Sequence, residues 1–157
     1  MTMKCRISHV RYVALGVPNL AEQVEFYRDA WGLVERESDS EVAFLGAVAT
    51  EDPYVLRLRR TDAARTDLIS FAVRTAQDVD AYADWFRSQG VQIISGPGEV
   101  DLPGGGYGIR IFDMEGRTVE ISAEVSRVAA RELEEREWLP GRLSHVVINT
   151  PDFEALI

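Results

Sequence analysis

Few residues in this sequence can do chemistry, and their types and spacing set several chemistries aside. There are two histidines, His9 and His145, and a single cysteine, Cys5. One thiol excludes an intrachain disulfide and a zinc site built on several thiolates, and it suits a reducing cytosol. The triple glycine Gly104–Gly106 could cradle a phosphate only if it opened a helix; strand-forming residues follow instead, so it reads as a mobile hairpin arm. With 17 basic against 26 acidic residues and a net charge of −9, no basic stripe collects on any segment. A nucleic-acid phosphate track is therefore excluded, and a small molecule is the expected partner. No apolar run approaches the ~18 residues of a membrane span, and no apolar signal segment follows the basic start, so the expected location is the cytoplasm.

The elements that must position these residues can be read from periodicity. His9 lies in a Val/Ile-rich stretch, 6–17, that alternates from Tyr12 onward and ends at Pro18, a strand. Asn19 caps a helix over 19–31 with Leu20, Val24, Tyr27 and Trp31 at helical spacing, closed by Gly32. Strands are predicted over 34–39, 41–48 and 54–60, separated by Asp39-Ser40 and Asp52-Pro53. The order then recurs: a strand 68–73, a helix 77–89 closed by Gly90, and strands 91–95, 107–112 and 117–123. Gly96-Pro97-Gly98 and Pro103–Gly106 bracket a flexible region, and Asp113–Gly116 forms the last tight turn.

Aligning the passes exposes a repeat. Tyr12-Val-Ala-Leu15, Leu68-Ile-Ser-Phe71 and His145-Val-Val-Ile148 begin equivalent strands, 56 and then 77 residues apart. Pro18-Asn19-Leu20 and Pro151-Asp152-Phe153 follow the first and third copies. The fold class expected is α+β: two tandem βαβββ units (1–62 and 66–125) forming one domain with a cupped mixed sheet. A charged, helix-prone linker, 126–141, follows, and then residues 142–157, the first strand and helix start of a truncated second domain. Tyr12, Trp31, Phe71 and Trp85 have the spacing of core aromatics.

Paired βαβββ units, the Phe26-Tyr27…Gly32-Leu33 ending of the first helix, and Asp113-Met-Glu-Gly-Arg-Thr-Val-Glu120 resemble the vicinal oxygen chelate superfamily of glyoxalases, bleomycin-resistance proteins and extradiol dioxygenases. Gly104–Asp113 and Arg142-Leu-Ser-His145 are most similar to the type I extradiol ring-cleaving dioxygenases. That resemblance implies a parent of two such domains that cleaves a catecholic ring with Fe(II), or Mn(II), and O2. It implies a first domain without catalysis and without a bound metal. Two imidazoles and a carboxylate would hold the metal and leave positions open for catecholate and dioxygen.

By the same resemblance the ligand positions of the first domain are Tyr12, Leu68 and Glu120, of which only Glu120 could bind a metal well. His145, in the register of the third copy, matches the first iron ligand of an intact parent. His9 lies an odd three residues before Tyr12, so it faces away from the cup unless a bulge intervenes, and reads as a partly exposed strand histidine. Glu120 is either a remnant ligand position or a buried acid held by Arg57, Arg110 or Tyr12; the second is favoured, with Arg57 the specific candidate.

Other function classes stay open beside this one. A metal-free binding module of the bleomycin-resistance type would use the cup or a dimer cleft, and a glyoxalase-like lyase or isomerase would need metal ligands that the first domain lacks. The tail 142–157 offers an unpaired strand through which a homodimer could form.

Overall fold

The first strands of the two repeats pair with each other, and the rest of the fold is arranged around that pairing. In the computed structural model, which describes residues 6–151, β1 (His9–Val17) runs antiparallel to β5 (Arg65–Ala72) with Val13 opposite Ile69. Those two residues are 56 apart in sequence, the same offset that relates Tyr12 to Leu68. A local two-fold axis therefore passes between Val13 and Ile69. Repeat and register are one fact seen in two ways.

Each opening strand leads into a helix and three further strands. The first half continues with α1 (Leu20–Asp29), β2 (Val34–Ser38), β3 (Val42–Gly46) and β4 (Leu56–Arg60). The second continues with α2 (Ala76–Ser88), β6 (Ile93–Glu99), β7 (Tyr107–Phe112) and β8 (Thr118–Ala123). Together they form one eight-stranded mixed sheet in the order β2-β3-β4-β1-β5-β8-β7-β6, with β1/β4 and β5/β8 parallel.

Local chemistry explains the helix limits. The Asn19 side chain accepts from the Glu22 amide at the start of α1, and Thr75 and Asp78 form a reciprocal capping box on α2. Gly32 has φ +67°, a conformation that costs a residue with a Cβ, and Leu139 packs over the space its side chain would fill. Both helices cover one face of the sheet: Leu20 of α1 packs with Leu45 and Leu58, and Val79 and Phe86 of α2 pack with Ile109. The opposite face is the cup, where Tyr12, Ala14, Phe44, Tyr54 and Leu68 pack together beneath Val42 and Leu102.

Several expectations are corrected. Residues 126–141 contain no helix. Instead the amides of Ser126, Val128 and Arg131 donate to the carbonyls of Gly104, Glu51 and Val48, which lays the segment across the domain as an extended strap. A short surface helix with no continuous apolar face gains too little from packing to offset its nucleation, and the strap satisfies those amides elsewhere. Residues 142–150 form no strand either. A strand exists only through a ladder, and this stretch forms none among the described residues; Arg117 Nη1 donates to the Asn149 carbonyl at 2.9 Å and Leu143 packs against the core of the first half. The expected helix start after Pro151 lies outside the described residues, as does Cys5.

The third correction is that β6 runs through Gly96-Pro97-Gly98 rather than ending before it. It is an edge strand, where a missing amide is tolerated, and its register against β7 shifts on both sides of Ser95. Nor is the glycine arm loose: Val100 donates to Gly106, Gly105 to Leu102 and Ser126 to Gly104. Fourth, Trp31 and Trp85 are 51% and 41% exposed, so they are not core. Trp31 lies two residues beyond the end of α1 and Trp85 beside the buried Phe86 on α2, and each rests against one ring, Tyr27 and Phe86 respectively.

Candidate functional site

The cup is built where the two halves meet. Period two along β1 sends Tyr12 and Ala14 to one face, and along β5 Leu68 and Ser70 to the same face. The antiparallel register places Tyr12 opposite Ser70 and Ala14 opposite Leu68. Ser70 in turn is paired with Glu120 on β8, and Ala14 with Arg57 on β4. Ala14 and Ser70 are themselves 56 residues apart. Arg57 and Glu120 thus occupy equivalent positions about the internal two-fold, one on each side of the central strands.

Glu120 is a buried acid with both oxygens engaged. Its side chain is 2% exposed, Arg110 Nε donates to Oε2 at 2.8 Å, and the Ser70 hydroxyl donates to Oε1 at 2.8 Å. The expected ion pair with Arg57 is not formed. Arg110 stands directly opposite Glu120 on the neighbouring strand β7, whereas Arg57 lies three strand spacings away, roughly 14 Å along the sheet. Adjacent pairing wins. Burial opposes the charge on Arg110, but the Glu120 carboxylate outweighs it and holds the guanidinium above its usual pKa.

Two tyrosines complete the interior. The rings of Tyr12 and Tyr54 lie 4.8 Å apart, and Phe44 packs on Tyr54 at the same separation. Burial, with the Glu120 carboxylate second, drives the Tyr12 phenol far above the ordinary tyrosine range; the same two causes push Tyr54 up to about 12. Both are neutral phenols at any physiological pH. Arg57 Nε is buried without a hydrogen-bond partner, while the buried Tyr12 hydroxyl interacts with Tyr54 and Arg110.

The histidines lie elsewhere. A register shift between Val10 and Tyr12 makes Arg11 the extra residue of a bulge, the event that would turn His9 toward the cup side. His9 nevertheless ends exposed at the sheet's end, with Nε2 3.0 Å from Asp52 Oδ2 and Nδ1 2.9 Å from the Ser8 hydroxyl. Arg11 instead reaches inward, donating to Asp52 at 2.8 Å and to the Ser122 hydroxyl at 3.1 Å. This end of the sheet borders a cleft of about 550 Å³ lined by Arg11, Asp52, Arg74 and Arg142. His145 is exposed, with Nδ1 3.0 Å from the neighbouring Ser144 hydroxyl.

Sequence reasoning passed over Ser70, Tyr54, Arg11 and Asp52. Period two from Leu68 was the available signal for Ser70; no pattern in the sequence announces the bulge that sends Arg11 inward. No group of three or more His, Cys, Asp or Glu among the described residues could hold a metal ion. With Glu120 taken by Arg110 and Ser70, the residues present in the cup do not fit Fe(II) or Mn(II).

A model of the Glyoxalase/Bleomycin resistance protein/Dioxygenase superfamily matches residues 6–121. The chain belongs to this superfamily. Among its relatives is a manganese-dependent 2,3-dihydroxybiphenyl 1,2-dioxygenase of Geobacillus genomosp. 3, 33% identical over 132 residues, which are 83% of this chain and 41% of that protein. The crystal structure of a Mn(II)-bound glyoxalase from Novosphingobium aromaticivorans superposes with a TM-score of 0.91 at 35% identity, covering 94% of this chain and 49% of that one. A homoprotocatechuate 2,3-dioxygenase from Arthrobacter globiformis gives 0.72 at 26% identity, over 78% of this chain and 38% of that one. The chain therefore spans half or less of the length of these superfamily members. Within the described residues no helix is long and apolar enough to cross a membrane.

Proposed function

We propose that residues 1–125 are the first, non-catalytic domain of an extradiol-type ring-cleaving dioxygenase, that 126–141 straps this domain, and that residues 142–157 open a second domain that carries the metal. The observation that carries this reading is the content of the cup. Tyr12, Leu68 and Glu120 stand at the positions that hold ligands in the extradiol resemblance, and the one carboxylate among them is neutralised by Arg110 and hydrogen-bonded by Ser70. A carboxylate so engaged would have to break a charge-assisted pair before it could coordinate a metal.

In this reading the parent acts on a catecholic substrate with Mn(II) or Fe(II), the relatives named above favouring manganese. His145 is the first ligand of the second domain. Its exposure leaves its imidazole available to that domain. The role of the first domain is then to supply a stable platform against which the catalytic one folds.

The test uses the chain as it stands. Residues 1–157 are incubated with Mn(II) or Fe(II) and 2,3-dihydroxybiphenyl without air, then aerated, while bound metal is measured after dialysis. No yellow ring-fission product and no stoichiometric metal are expected. Product formation in proportion to metal retained by this chain would overturn the proposal.

A further inference from the structure

The cleft at the end of the sheet, about 550 Å³, shares no residue with the packed interior of the cup and carries positive charge that the chain does not answer. Its three acids are all engaged. Asp52 holds Arg11 at 2.8 Å, Glu51 holds Arg127 at 2.7 Å, and Glu124 Oε1 accepts from the Ala76 amide at the start of α2. Glu124 reaches that amide with φ 57°, the one positive value at a non-glycine residue among the described residues. Such a conformation persists only where neighbouring contacts hold it, and it is found most often beside binding sites. Arg74 and Arg142 line the same cleft and form no ion pair or side-chain hydrogen bond among the described residues.

The lining selects the ligand. Four arginines against three acids, with His9 neutral, leave the cleft one positive charge in a chain of net charge −9, which suits a monoanion. The forks of two unpartnered guanidiniums match a carboxylate. Ser8, Thr50 and Ser126 bring hydroxyls to the same space, and no Phe, Tyr or Trp lines it. The walls therefore offer hydrogen bonds rather than a stacking surface, and the volume is that of a pocket for a small molecule. We propose that the cleft binds a small hydroxylated aliphatic carboxylate, its carboxylate held by Arg74 and Arg142 and its hydroxyl groups by Ser8, Thr50 and Ser126. Arg11, locked onto Asp52 and Ser122, forms the rigid floor rather than a ligand contact. The site does not depend on the ring-cleavage reading.

Titration calorimetry of residues 1–157 with sodium gluconate, at ionic strength fixed with sodium chloride, tests it. Saturable one-to-one binding is expected. Glucitol, with a hydroxymethyl group in place of the carboxylate, should bind at least tenfold more weakly. Benzoate, which keeps the charge and lacks the hydroxyls, should bind at least fivefold more weakly. Arg74→Met and Arg142→Met should each weaken gluconate at least fivefold with the circular dichroism spectrum unchanged. Arg136→Met removes the same charge from an exposed arginine outside the cleft and should leave the affinity as it was. The proposal fails if gluconate does not saturate, if glucitol or benzoate binds as well, if either cleft variant binds gluconate as the unsubstituted chain does, or if Arg136→Met weakens it as much as they do.

Discussion

Replacing Arg110 by methionine isolates the contact on which the cup depends. The substitution keeps a long unbranched side chain but leaves Glu120, 2% exposed, without its countercharge. Removing one partner of a buried pair costs about 3–5 kcal/mol. Two features place this site at the lower end: Arg110 is 31% exposed, and the Ser70 hydroxyl still donates to Oε1. The expected loss is about 3 kcal/mol, or roughly 6–12 °C in Tm for a chain of this size. Glu120→Gln should cost less, about 1–2 kcal/mol, because the freed guanidinium can turn to water and the amide still accepts from Ser70. The double variant then removes both charges and should be more stable than Arg110→Met alone, giving a coupling of at least about 1.5 kcal/mol in the cycle. Urea denaturation of the four proteins at pH 7 supplies every term. Losses that simply add to within about 0.5 kcal/mol, or an Arg110→Met protein within about 1 kcal/mol of the parent, would refute the view that Arg110 holds Glu120 in place.

Other consequences follow from the same geometry. Burial first, and the Glu120 carboxylate second, raise the Tyr12 and Tyr54 phenols above the unfolded value of about 10, Tyr54 to about 12. The stability held by their neutral forms is complete below pH 10 and is lost as pH rises toward 12; ultraviolet titration should show these two ionising last, together with unfolding. At the β7–β8 turn, burial pushes the Asp113 carboxyl up, but Arg117 and the amides of Arg117 and Glu115 outweigh it and hold it below the usual aspartate value. Asp113→Ala should cost about 1–2 kcal/mol at neutral pH, and the gap should close as pH falls below about 4, where the parent carboxylate is progressively protonated. Along the strap, hydrogen exchange should find the amides of Ser126, Val128 and Arg131 protected. Protection running evenly through 126–139 would instead indicate the helix that the sequence suggests.

What the sequence made legible was whatever rests on local periodicity. Asn19, Gly32 and Gly90 bounded both helices to within a residue or two, and the 56-residue offset of Tyr12 and Leu68 anticipated the pairing of Val13 with Ile69. The strap was misread because Ser126–Leu139 has helical propensity, while its conformation is set by carbonyls of Val48, Glu51 and Gly104, far away in sequence. Tertiary hydrogen bonding overrides propensity in such a segment. Glu120 was legible as a buried acid with Arg110 among its candidate partners, but the preference for Arg57 was wrong. Choosing Arg110 over Arg57 requires the β7–β8 register, which only the folded sheet supplies.

The internal two-fold sharpens what the cup can accept. A duplicated βαβββ unit makes the backbone around Arg57 equivalent to that around Glu120, yet the two positions carry opposite charges. With Arg110 also on the cup face, the immediate sum is two guanidiniums against one carboxylate. At an illustrative ~5 Å and an effective dielectric of 20, each unit charge acts on another with about 3 kcal/mol. A divalent cation would gain about 7 kcal/mol from Glu120 and lose about twice that to Arg57 and Arg110, before any cost of desolvation. A monoanion meets the reverse balance, a net attraction of about 3 kcal/mol. On this balance the charges of this cup oppose a cation in addition to the missing imidazoles, so histidines placed at Tyr12 and Leu68 should not by themselves create a metal site while both arginines remain, which metal retention after dialysis of that double variant would check.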